Sequence, residues 1–300
     1  MDRRINTVLL AIAALAAVLQ FVAFPLLVPV TAASAVALIA LSALTAPLCW
    51  GLMHESIHNK LFASDRANRI AGRLLGIALC LVWDMMRFGH LMHHRANRHD
   101  HDRPEDVAPG RSRLAAAPVY FLTLLGGGTL QNAVAPAAVF LPLRTTDILV
   151  ERIFGREPGM RDAALRAFTD PERRARIRAD FLAILALIAV SGWCWEAHWP
   201  VLAACVLARF AVLSILDNAP HYGTPRDSGT RAYNTTLPPA FRWLVLNANF
   251  HGVHHHAPQL AWTELPRAFP GGFDGSWTAM VLRQFRGPMR LSELPGPPGA

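Results

Sequence analysis

Lysine is nearly absent from this 300-residue chain: of its 29 basic residues, Lys60 is the one lysine. Charge of either sign is scarce, at 17% of residues against 53% hydrophobic. That balance is membrane-like and argues against an ordinary water-soluble domain. The net charge of +8 comes without basic–aromatic interleaving or any nucleic-acid motif, so no nucleic-acid partner is expected. Cysteine is limited to Cys49, Cys80, Cys194 and Cys205. They lack metal-ligand spacing and two lie in apolar stretches, so they read as reduced core thiols rather than a disulfide framework. No haem-attachment or dinucleotide motif is present either.

What the chain has is apolar length. Residues 5–30 follow Asp2-Arg3-Arg4 and are too long for a signal-peptide core, and a second apolar run comes at once. They read as a first membrane span, broken near Pro25 and Pro29, and residues 31–50 as a second. The short uncharged link makes the two a hairpin. Residues 178–195 and 200–217 form a third and fourth span around a tight turn, with Trp193, Trp195 and Trp199 suited to an interface belt. Arg209 is the one charge in the last span and either snorkels or faces the protein interior. Residues 115–143 are long enough to cross. However, Gly126-Gly127-Gly128 divides them and Pro118, Pro136 and Pro142 punctuate them, so they read as interfacial or re-entrant. The expected fold is a single all-α domain over 1–300, a polytopic integral membrane protein with four transmembrane helices in two hairpins. Residues 51–113, 144–177 and 218–300 form a helical cap. The outer turns carry no Lys or Arg, so the positive-inside rule places the cap and both termini in the cytoplasm, of a bacterial inner membrane.

Histidine is the second abundance, with 13 residues. His90, His93 and His94 stand at i, i+3 and i+4, which share one helix face. His251, His254 and His255 repeat the spacing. Chance gives about 0.02 such triplets in a chain of this composition, so two are signal. His54 and His58 lie one helical turn apart, and His221 follows the fourth span in Asp217-Asn218-Ala219-Pro220-His221. A zinc site needs four ligands, or three and water. Nine imidazoles are too many for one ion and suit two, and ligand type alone does not choose among Fe, Cu, Zn and Ni.

His54-Glu55-Ser56-Ile57-His58, His90-Leu91-Met92-His93-His94 and His251-Gly252-Val253-His254-His255 resemble the three histidine boxes, HxxxH, HxxHH and HxxHH, of the membrane fatty acid desaturase and hydroxylase superfamily. The resemblance covers the whole span plan. It implies a di-iron centre, two non-haem Fe ions with O2 as co-substrate, that attacks an unactivated C–H bond with two electrons. The implied metal ligands are His54, His58, His90, His93, His94, His251, His254 and His255, with His221 carried over as a ninth. Asn218 is carried over too, but it stands three residues before His221 where four is the pattern; Asp217 occupies the fourth. No catalytic residue is implied beyond the ligands. The favoured reaction is desaturation of an acyl chain. Hydroxylases and ketolases of lipids or carotenoids carry the same boxes. The basic face would receive an acyl-CoA, an acyl carrier protein or a phospholipid, and a separate donor such as a ferredoxin would supply electrons.

Metal-bound imidazoles need their second ring nitrogen held. Asp84, Asp100, Asp102, Glu105, Asp106 and Asp217 are near enough in sequence to serve. His99, His101 and His256 flank the boxes and read as outer-layer or solvent-facing, and His198 in the outer turn has no expected role. Two readings compete. His54-Glu55-Ser56-Ile57-His58 also fits HExxH of zinc metallopeptidases, with Glu55 as general base; it leaves at least five clustered histidines unexplained. A metal carrier would place polar ligands within its spans, which are nearly bare of them.

Overall fold

The computed structural model describes residues 3–97, 102–155, 158–224 and 232–290. Among them there is no strand, only three isolated bridges, and helices dominate. Four stretches are long and apolar enough to cross a membrane: Arg4–Leu27, Ala32–Ile57, Arg113–Phe140 and Pro171–Asn218.

The first stretch is helix α1 (Arg3–Val18), which runs through a π turn at Leu19–Ala23 into Phe24–Leu27. It ends where Val28 turns extended ahead of Pro29. Helix α2 (Ala32–Ile57) starts at a reciprocal cap: Ser34 N donates to Thr31 Oγ1 and Thr31 N donates to Ser34 Oγ. The sequence placed the end of this span at residue 50, but the helix continues to Ile57 and stops before Asn59, whose φ is +58°. Its 26 residues extend about 39 Å, against a hydrocarbon thickness of about 30 Å. The excess turn or two is the part that carries His54 and His58.

Helix α3 (Asp65–Leu79) is capped by Ser64 and stops at Cys80, which takes the left-handed conformation. Its buried residues, Asn68, Ala71, Gly72, Leu75, Gly76 and Leu79, recur every three or four positions. Asn68 orders the preceding loop by bonding Phe62 O, Phe62 N and Ser64 O. A bend of 101° leads into α4 (Trp83–Ala96). Trp83 Nε1 donates to Ser56 Oγ at 2.9 Å, fixing the start of α4 on the end of α2. Gly72 is needed there, since a Cβ would collide with the Trp83 ring and the Ser56 hydroxyl.

The stretch 113–140 is not one helix. Helix α5 (Arg113–Leu122) passes through a π turn into α6 (Gly128–Val134) and a 3-10 turn. The break falls at Leu125 and Gly126, the latter at φ +116° and so close to the next helix that a Cβ would stand 3.1 Å from Ala211 N. Beyond the break the chain runs back. Thr129 bonds Ser214 Oγ, and the Val139 carbonyl accepts from Arg178. Helices α7 (Leu143–Phe154) and α8 (Pro158–Thr169) follow.

Helix α9 (Pro171–Trp195) and α10 (Trp199–Asn218) are linked by a 3-10 turn, Glu196–His198. Ion pairs fix the start of α9 to the histidine-bearing layer: Arg73 to Asp180 at 2.6 Å and Arg176 to Asp84 at 3.0 Å. Trp195 at its far end donates to Gln20 O, and the Ser42 hydroxyl stands 3.1 Å from both Gln20 Oε1 and Cys205 O. Arg209 faces the interior, 4% exposed, with Nη1 donating to Ala78 O and the guanidinium over the Phe21 ring. Of the two options open in sequence, snorkelling is the one that does not occur.

Candidate metal centre

Four separate pieces of chain converge at the open ends of α2 and α10. His54 and His58 ride on the last turns of α2, and His90, His93 and His94 on α4. His221 sits in the turn after α10, held by His221 N donating to Asn218 O. His251, His254 and His255 lie on the one-and-a-half-turn helix α11 (His251–His256). So short a helix has little stability of its own. It is held by Val253 N donating to Asn234 Oδ1 and by the pairing of Thr235 with Asn249. Gly252 lies so close to Ala232 O that a Cβ would stand 2.7 Å from it.

The nine histidines form two groups. His54, His58, His90, His94 and His254 make one, and His93, His221, His251 and His255 the other. In each group the ligand atoms all lie within 4.8 Å of one another. Nε2 of His90 is 2.9 Å from that of His58 and 3.0 Å from that of His94, which is 3.0 Å from His254 Nε2. The second group closes a circuit: His93 to His221 at 3.1 Å, His221 to His251 at 3.1 Å, His251 to His255 at 3.2 Å, and His255 to His93 at 3.3 Å.

Hydrogen bonds do not account for this. A ring nitrogen has one in-plane site, either an N–H or a lone pair. Four Nε2 atoms in a circuit therefore form at most two hydrogen bonds, leaving the other contacts as repulsions. Nε2 of His54 is buried with no hydrogen-bond partner among the described residues. A shared cation resolves both problems. Imidazole nitrogens at about 2.0–2.1 Å from one metal are about 3.0 Å apart at right angles and about 3.4 Å apart at tetrahedral angles. The observed spacings fit the first value better. For six of the nine rings burial also favours the neutral form, the one that binds metal. Burial, followed by the charges of His54, Arg87 and Lys60, pushes the His58 pKa down to about 2. His90, His251, His254 and His255 are lowered well below the ordinary histidine range, by burial first and then by the neighbouring rings.

Of the acids considered in sequence, Asp102 reaches a ring, its carboxylate 2.8 and 2.9 Å from His93 Nδ1. Asp84 pairs with Arg176 and Arg173, and Asp106 with Arg103. Glu105 accepts from Gly223 N. Asp217 and Asn218 stand outside both groups. Asn218 Nδ2 donates to Gln284 Oε1, and Asp217 lines an adjoining cleft. His256 and His198 are exposed; His99, Asp100 and His101 lie outside the described residues. Sequence reading missed Asn97, which is buried with Nδ2 3.3 Å from Nδ1 of both His221 and His255. A polar residue three places beyond a histidine pair carried no signal of its own.

Glu55 does not sit as a general base would. Its Oε2 accepts from Trp262 N at 3.1 Å, and its Oε1 faces His54 Nδ1 at 3.8 Å, the side of the ring away from the group. The Fatty acid desaturase family model matches residues 29–274 of the chain. It thus takes in all three histidine boxes and His221. The chain belongs to the fatty acid desaturase family. No curated protein matches it. As a member of that family it joins a group of oxidoreductases, desaturases and hydroxylases, and its histidine cluster is one that can hold metal. Against the cluster lies a mostly apolar cleft walled by Pro47, Trp50, Leu213, Leu216, Val245 and Trp277, with Glu55 and Asp217 also on its lining. His54, His251 and His254 border it too, so it opens onto both groups.

Proposed function

We propose that this chain is an O2-dependent membrane acyl-chain desaturase whose nine histidines hold two iron ions, five rings on one and four on the other. The observation that carries the reading is the pair of Nε2 clusters at about 3 Å spacing, in a chain of the desaturase family. Iron bound there would supply the oxidising power to remove hydrogen from an unactivated C–H bond. The balance is R–CH2–CH2–R′ plus O2, two electrons and two protons, giving R–CH=CH–R′ and two waters. The electrons come from a separate donor such as a ferredoxin.

The chain's own residues do the rest. The apolar cleft receives an alkyl chain and excludes water, and it brings that chain against His54, His251 and His254. Trp50 packs against the His54 and His90 rings, with centroids 6.4 and 6.5 Å apart, and closes one wall. Asp102 holds His93 in the tautomer that leaves Nε2 bare. Cytoplasmic placement of the cap and an acyl-CoA, acyl carrier protein or phospholipid substrate belong to this same proposal.

The test is lipid profiling of cells expressing the chain or its His94→Ala, His255→Ala double variant, with iron measured on both proteins. New double bonds with about two irons per wild-type chain, both lost in the variant while membrane insertion survives, are expected. An alcohol or ketone in place of the alkene would replace desaturation by oxygen insertion. Wild-type turnover in the double variant would overturn the di-iron reading.

A further inference from the structure

In the second group His93, His221 and His255 each meet a protein partner on the outer ring nitrogen. His93 has the Asp102 carboxylate. His221 and His255 have one and the same residue, Asn97, whose amide stands 3.3 Å from Nδ1 of each. Asn97 is 6% exposed and caps the end of α4, the helix that also carries His93. It therefore links three ligands of the group that come from three places in the chain.

The direction of the Asn97 contacts follows from proton count. A neutral imidazole carries one N–H. If Nδ1 of His221 or His255 accepted from the amide NH2, the ring proton would sit on Nε2, which points into the group and then binds nothing. Both rings present a bare Nε2 only when both Nδ1 atoms are donors. The acceptor is then the Asn97 carbonyl oxygen, whose two lone pairs match two N–H groups. A half-turn of the amide exchanges nitrogen and oxygen without changing its shape, and that assignment is made by the network rather than by atom positions. We propose that Asn97 is a positioning residue for the four-histidine group, fixing through one carbonyl oxygen the tautomer and orientation of both His221 and His255. This rests on the metal-binding reading above.

The consequence is an unequal centre. Loss of the Asn97 oxygen removes a shared acceptor from two of the four ligands in one group and from none of the five in the other. The test uses the full chain in detergent, titrated with Fe(II) and then challenged with a chelator, for wild type, Asn97→Leu and Asn97→Asp. Leucine keeps the bulk and removes the acceptor; aspartate keeps an oxygen acceptor. Wild type should hold two irons. Asn97→Leu should hold one firmly and release the other with affinity lowered 10- to 100-fold, the usual cost of losing an outer-layer partner. Mössbauer spectra should show the loss confined to one of two iron environments. Asn97→Asp should restore both irons, an outcome a merely space-filling role would not give. Two irons in Asn97→Leu with wild-type release would overturn the inference, as would a folded Asn97→Asp that loses iron as Asn97→Leu does. A wild-type chain that binds no iron would overturn the metal reading itself, and this inference with it.

Discussion

At the scale of single residues, Glu55 separates the two chemistries that the first box allows. In a zinc peptidase it would activate water, and its loss would cost on the order of 10²–10⁴ in rate. Here its carboxylate accepts from the Trp262 backbone and lies on the outer side of the His54 ring. Five rings share the group that includes His54 and His58, a ligand number no catalytic zinc site takes. Glutamine keeps an oxygen for Trp262 N and similar bulk. Glu55→Gln is expected to retain bound iron and lipid-oxidising activity to within about tenfold, short of the loss a general base would give. Iron assay beside lipid profiling checks this; retained metal with abolished turnover would point back to a base.

At the scale of elements, the spacing of the boxes was legible but their division of labour was not. Residues at i and i+4 lie about 40° apart around a helix, and those at i+3 and i+4 about 100° apart. Accordingly His90 and His94 enter one group and His93 the other. Box three is the reverse: His251 and His255 enter the second group and His254 the first. Each helix gives a pair to one group and a single ring to the other. Sequence supplies the shared face but not the partner across it, because partners come from elements up to about 200 residues away. The α2 overrun was missed for a related reason: hydropathy stops at residue 50, but nothing breaks the helix before Asn59. Asn97 was invisible because its role depends on two rings from distant segments. The short helix α11 serves both groups, so a shift in it disturbs both. Gly252→Ala places a methyl against Ala232 O and the Asn234 side chain. It is expected to destabilise by about 1–3 kcal/mol, the usual cost of overpacking, and to lower iron in both groups together. Gly89→Ala, beside box two on α4 but with open space around its Cβ, is the control. It should leave iron unchanged and stability unchanged or raised by up to about 1 kcal/mol. Thermal melting and iron content on the two variants decide the matter, and equal behaviour would deny α11 its special position.

At the scale of the whole molecule, the question is whether all four histidine-bearing pieces lie on one side of the membrane. They meet in space, so an even number of crossings must separate them. With each helix of Pro171–Asn218 crossing once, as proposed, that pair supplies two. The stretch 113–140 would then supply none or two, although its length and hydropathy would allow one. Its contacts favour none. Arg113 and Tyr222, just after His221, line the same pocket. From there the chain runs inward until Gly126 meets Ala211, seven residues before the end of α10, a depth of about 10 Å at 1.5 Å per residue. That is about a third of the hydrocarbon thickness. It then returns past Ser214 to Val139, whose carbonyl accepts from Arg178 at the start of α9. Arginines stand outside both ends, Arg111 and Arg113 before and Arg144 and Arg152 after, as expected for two ends on the cytoplasmic side. Single cysteines at Ser112, Thr145 and Ala197, in a background with the four native cysteines replaced, make the test. The first two should react with a membrane-impermeant thiol reagent only after the cytoplasmic face is opened, and the third in intact cells. Labelling of Ser112→Cys and Thr145→Cys from opposite sides would mean a single crossing. Box three would then stand across the bilayer from boxes one and two, and no shared metal centre would form.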